Sequence, residues 1–108
     1  MFVRIAEFSL KSQARFEFLQ LMNTSLIPLV RRQPGCLDTA VLVSDEDPNL
    51  GLCVTFWNSR QQAGRFHDGE EFRQLLPALQ ACLSDDSRVT TYYVDSSTCH
   101  RISLRRAA

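Results

Sequence analysis

Two residues able to do chemistry near neutral pH stand close together in this chain. His67 follows Trp57 within the stretch TFWNSRQQAGRFHDGEEF, Thr55 to Phe72. An imidazole with an ordinary pKa near ~6.5 can act as a general base, so His67 is the catalytic candidate. An indole can stack on a flat substrate or pack in a core with its N–H on a local acceptor, and Trp57 is open to both. Asn23 falls between Phe16 and Ile27 on the apolar arc of a helix, and an amide buried there must be hydrogen-bonded or face a ligand. Tyr92 and Tyr93 take opposite faces of a strand, and Tyr93 is taken as the one facing a pocket. Arg4 and Glu7 also alternate, so at most one of them faces the same way. These assignments make His67 catalytic and Trp57, Asn23 and Tyr93 substrate-binding.

Other chemistries lack their residues. Asp45, Glu46 and Asp47 are adjacent carboxylates without a His or a regular oxygen-ligand spacing, so they read as a turn and no metal site is expected. No Gly-rich phosphate loop or Ser nucleophile motif is present. Cys36, Cys53, Cys82 and Cys99 include no C-x-x-C pair, which argues against a zinc ribbon or a thioredoxin-type site. Cys36, Cys53 and Cys82 sit among apolar residues and read as small buried hydrophobes. A net charge of zero speaks against nucleic acid, and no apolar run approaches the ~20 residues of a membrane span. With no leader-like stretch at the start, the expectation is a cytoplasmic, reduced setting.

The elements that must position these residues follow from periodicity. At 108 residues and 44% hydrophobic content the chain fits one domain. Phe2 to Leu10 reads as a strand, and Ser12 is placed to cap a helix from Gln13 to about Gln33. That helix carries Phe16, Leu19, Leu26, Ile27 and Val30 at three- and four-residue steps, with Phe18, Met22 and Leu29 widening the stripe. Pro28 is expected to kink it and Gln33-Pro34-Gly35 to end it. Cys36 to Ser44 and Leu50 to Trp57 form two strands joined by a polar turn. Ser59 with Gln62 makes a capping box for a helix from Arg60 to His67. Asp68 with Glu71 repeats the pattern for a second helix to about Leu83, kinked at Pro77. Arg88 to Asp95 is the last strand.

The order β-α-β-β-α-β is the ferredoxin-like arrangement: an α+β fold with a four-stranded antiparallel sheet and both helices on one face. Yet both parities of the strands are apolar, with Val41 and Val43 on one and Leu50, Leu52, Val54 and Phe56 on the other. The open face is therefore expected to meet a second copy of the chain, giving a homodimer. The domain spans residues 1–95, and residues 96–108 form a tail able to add a strand to the partner.

With this order, the stretches "QPGC", "TFWNSRQQAGRF", "EEFRQLL" and "RVTTYYV" give a chain that resembles the antibiotic biosynthesis monooxygenase (ABM) domain family over about Phe2 to Asp95. The resemblance implies a dimeric α+β barrel with a pocket between sheet and helices, into which Trp57 points. It implies a monooxygenase with no bound cofactor, acting on a small aromatic or quinol-type molecule that itself activates dioxygen. Alignment on "EEF" puts Phe66, not His67, where quinol-type members carry a His. One helical residue is a turn of about 100°, so His67 is expected to point away from that face. Leu76 and Phe8 stand where the haem-degrading members carry a His and an Asn, which counts against haem cleavage. Cys53 replaces an Asn of the quinone-forming oxygenases, and a thiol is a poor substitute for an amide. A non-catalytic ligand-binding or interaction module on the same scaffold is the alternative.

Overall fold

The computed structural model describes residues 1–97, so the expectation of an extra strand in the tail falls almost wholly outside the described residues. Four strands, β1 (Phe2–Ser9), β2 (Cys36–Val43), β3 (Leu50–Trp57) and β4 (Arg88–Tyr93), form one antiparallel sheet in the order β2-β3-β1-β4. The helical segments are α1 (Arg15–Leu21), α2 (Ile27–Arg31), α3 (Arg60–His67) and α4 (Glu70–Ala81). This is the α+β architecture expected from the order of elements. Because β1 is central, its even-numbered residues make the floor under the helices. Phe2, Arg4, Ala6 and Phe8 stand opposite Trp57, Thr55, Cys53 and Gly51 of β3. The other parity, with Ile5, Leu52 and Phe56, forms the outer face.

The first helical rod departs from a simple 3.6-residue reading. Between α1 and α2 lies a π turn, Met22–Leu26. Proline explains its place: the ring of Pro28 clashes with the carbonyl four residues earlier, and a wider turn relieves the clash without breaking the rod. Thr24 Oγ1 donates to the Gln20 carbonyl at 2.7 Å. The expected kink is thus a local widening. The buried stripe is Phe18, Met22, Leu26, Leu29 and Val30, whereas Phe16 is 80% exposed. Asn23 lies outside this stripe and is exposed, which corrects its expected inward position.

Caps divide the same way. Ser59 Oγ accepts the Gln62 N–H at 3.2 Å, and α3 begins where its capping box places it. Ser12 does not cap α1; the cap position is Ala14, whose carbonyl takes the Phe18 N–H at 2.9 Å. Asp68 does not cap α4 either. Gly69 holds that position in extended conformation, and Asp68 closes α3 by donating its N–H to Gly64 O at 2.9 Å. Glu70 and Glu71 then supply negative charge to the first turn of α4, where the helix dipole favours it. Gly35, at φ +85°, ends the rod and its carbonyl accepts the Asn58 N–H at 2.8 Å. The core lies between this rod, α3 and the sheet, with Trp57, Met22, Val30 and Cys82 the largest fully buried side chains.

Candidate active site

The layer between sheet and helices is hollow at one end. A cavity of about 730 Å³ opens between the β1–β3 floor and a wall built from α1, the π turn, α3 and α4. Its wall is largely apolar: Phe18, Met22, Leu26, Phe66, Phe72 and Leu79. Arg4 and Thr55 rise from the floor beside Cys53, and His67 and Asp68 come from the end of α3. The volume suits a drug-sized ligand, for which pockets of ~300–1,000 Å³ are usual.

Trp57 does not line this cavity. It is fully buried, and its Nε1–H donates to Thr55 Oγ1 at 2.9 Å. The indole backs the wall, 5.7 Å from the Phe66 ring and 6.1 Å from the His67 ring between centroids. The expected stacking residue is therefore a support one layer behind the ligand space, because its only polar atom finds a partner two residues away on the same strand face. Thr55 accepts that bond, so toward the cavity it has its own hydroxyl proton to offer.

His67 does line the cavity, contrary to the outward direction expected from the helical register. Phe66 and His67 are 100° apart around α3, and the concave wall is broad enough to take both. Phe66 and Phe72 hold the imidazole edge-on, each with its ring centroid 5.0 Å away. Nδ1 lies 2.7 Å from the Ala63 carbonyl. A carbonyl only accepts, so the proton sits on Nδ1 and Nε2 is left as an acceptor. No buried side-chain nitrogen or oxygen among the described residues lacks a partner, and Nε2 has none, so it reaches open space. Burial and then the nearby Arg4 charge push the His67 pKa down to about 4, against the opposing pull of Ala63 O and Asp68. The ring is neutral at pH 7: a good hydrogen-bond acceptor and a weak base.

Arg4 is the cation of the site. Its half-buried guanidinium forms neither a hydrogen bond nor a close ion pair with any described residue. Burial holds its pKa below the ordinary Arg value, with Cys53 and Asp68 pulling the other way, yet an Arg remains charged at neutral pH. Burial likewise pushes the Cys53 thiol up to about 11, only partly offset by Arg4, so it is not a nucleophile. Tyr93 shares the helix-side face of β4 but is 67% exposed and packs edge-on against Phe2 at 5.5 Å, away from the cavity. Asn23 is likewise outside it. No cluster of metal-ligating side chains occurs among the described residues.

The antibiotic biosynthesis monooxygenase family profile matches residues 1–78. The chain belongs to this family. A crystal structure of an antibiotic biosynthesis monooxygenase is 25% identical, with 89% of this chain and 100% of that one covered at a TM-score of 0.80. SnoaB of Streptomyces nogalater, a cofactor-independent oxygenase, is 17% identical over 92% of this chain and 97% of its own, with a TM-score of 0.81. A conserved protein from Methanosarcina mazei Go1 is 22% identical over 85% and 91%, at 0.79. No curated protein sequence matches. In this chain the polar groups of the cavity on its floor and α3 wall include Arg4, Thr55 and His67, with Asp68, Asp85 and Asp86 at its edge. Thr55 carried a sequence signal that went unused, since it shares a face with Trp57 two residues on. Arg4 carried one too: it shares parity with Phe2, Ala6 and Phe8.

Proposed function

We propose that this ABM protein is a cofactor-independent monooxygenase acting on a small aromatic or quinol-type substrate. The observation that supports it best is the aromatic-walled cavity with three convergent polar groups, Arg4, Thr55 and His67. In such a reaction an electron-rich phenol gives electrons to dioxygen, a C–H of the ring becomes C=O, and the second oxygen atom leaves as water. All four electrons come from the substrate. The protein's part is to hold the ring, exclude water and favour the ionised oxygen from which electrons leave. His67 Nε2 is positioned to accept the hydroxyl hydrogen bond, and Arg4 to balance the charge that develops. Oxygen-electrode assays over a panel of quinols and phenols test this reading. We expect uptake with at least one flat two- or three-ring substrate, reduced about tenfold or more in His67→Phe; no uptake with any of them would remove it.

The weak basicity of His67 and the inert Cys53 favour a second reading, a ligand-binding module with the same cavity. Tight ligand binding without oxygen uptake would identify it. Either protein would work as a homodimer joined through the outer sheet face, where Leu42 and Tyr92 are 50% and 54% exposed. A monomeric mass in solution at tens of micromolar would contradict that assembly. A cytoplasmic setting belongs to the same reading; the structure itself adds that no helix among the described residues is long and apolar enough to cross a membrane.

A further inference from the structure

Arg4 is a half-buried cation that no described residue hydrogen-bonds or pairs with closely. Arg4 is rooted on the central strand, paired on one side with Thr55 and on the other with Thr91. Its guanidinium is half-buried and opens into the cavity rather than onto the outer surface. The guanidinium has five N–H donors, and no described residue takes any of them through a hydrogen bond or close ion pair. Three carboxylates, Asp68, Asp85 and Asp86, also border the cavity, but all are exposed at its rim and none closes on Arg4. By contrast, the exposed Arg88 does have an acidic neighbour, Glu7, at 3.9 Å. A buried or half-buried charge is normally paired, and the cavity gives Arg4 room to meet an anion.

The arrangement also limits what that anion can be. Donors, Arg4 and the Thr55 hydroxyl, lie on the floor; the free acceptor, His67 Nε2, lies on the wall. The acidic rim disfavours a ligand carrying several negative charges. The wall of Phe18, Phe66 and Phe72 calls for a flat apolar body. We infer that the cavity selects the mono-anion of its ligand, an aromatic or vinylogous enolate whose ionised oxygen seats on Arg4 while a neutral hydroxyl, where present, donates to His67 Nε2. The inference rests on the cavity being the ligand site, and it deepens the oxygenase reading, since an enolate is the form of such a molecule that reduces dioxygen.

Binding separates the two. The probes are 2-hydroxy-1,4-naphthoquinone, a vinylogous acid that is anionic at pH 7, and its neutral 2-methoxy counterpart, titrated calorimetrically into the full chain. The wild type is expected to bind the anion about tenfold or more tightly than the ether, the scale of one charge-assisted contact. Arg4→Met removes that preference and leaves the ether's affinity within about threefold, whereas Arg4→Lys keeps part of it. Should Arg4→Met fail to fold, Arg4→Gln and the wild-type ratio decide. A wild type that binds neither probe or prefers the ether overturns the inference, as does a preference that survives loss of the Arg4 charge. Oxygen uptake is recorded alongside over the panel of quinols and phenols, since the naphthoquinone probes are already oxidised. Anion preference without uptake from any panel member leaves the inference standing and removes the oxygenase reading; uptake without anion preference does the reverse.

Discussion

The layer between sheet and helices has two ends built from the same strands but on opposite terms. At the closed end, Trp57 fills its space completely and its one polar atom is answered by Thr55. At the open end, four residues back along β3, Cys53 faces a cavity beside Arg4, Thr55 and His67. The first end converts burial into stability. The second leaves part of an apolar wall open and a cation half-desolvated, both of which cost stability. The contrast explains how one strand can supply both the best-packed residue of the domain and the floor of its site.

The sharpest way to break the comparison is to hollow the closed end. Trp57→Ala is expected to cost about 3–5 kcal/mol in urea unfolding, since a fully enclosed indole leaves a cavity that the sheet cannot collapse. Thr55→Val keeps the shape but strands the buried Nε1–H, and about 1–3 kcal/mol is expected in the same measurement. A change within experimental error would mean that the indole N–H had found water, and the closed end would not be closed.

At the open end pH is the probe. The folded-state pKa of His67, about 4, lies below its ordinary 6.5, so the unfolded chain binds the extra proton first. Stability is therefore full above pH 6.5 and falls as pH drops toward 4. After allowance for partial solvent screening, the loss is on the order of 1–2 kcal/mol. His67→Gln removes this segment of the pH profile while leaving stability at pH 7 nearly unchanged. An identical acid profile in the variant would place the titrating group elsewhere. The smallest effect belongs to Arg4→Met: unfolding free energy within about 1 kcal/mol of wild type, on either side, because no hydrogen bond or close ion pair with a described residue is lost. A large loss would show that Arg4 supports the fold and blur the distinction between the two ends.

The sequence carried the fold further than the site. Leu50–Trp57 and Arg60–His67 were legible to the residue because strong local signals bound them: an acidic turn before the strand and the Ser59 capping box after it. Ser12 and Asp68 misled because a capping residue type is only an opportunity, and the backbone chose Ala14 and Gly69 instead. The long rod held the deeper difficulty. Apolar residues stand on both Phe16 and Phe18, periodicity alone cannot say which seeds the stripe, and a π turn shifts the phase partway along. Asn23 was misplaced for that reason. His67 was placed on the wrong side because a 100° step decides direction on a flat interface, not in a concave one. Arg4 is legible in parity only: that a charge faces inward can be read from alternation, but that no described residue bonds to it there requires the third dimension.

The position of Trp57 has a practical consequence in optics. The chain holds one tryptophan, so all of its indole fluorescence comes from a single site shielded from solvent. Its emission belongs at the blue end of the indole range. Phe66, His67 and Thr55 each adjoin the indole and line the cavity, so an absorbing quinone seated there would lie well within energy-transfer distance. The indole that stands behind the cavity wall is placed to report a ligand's arrival.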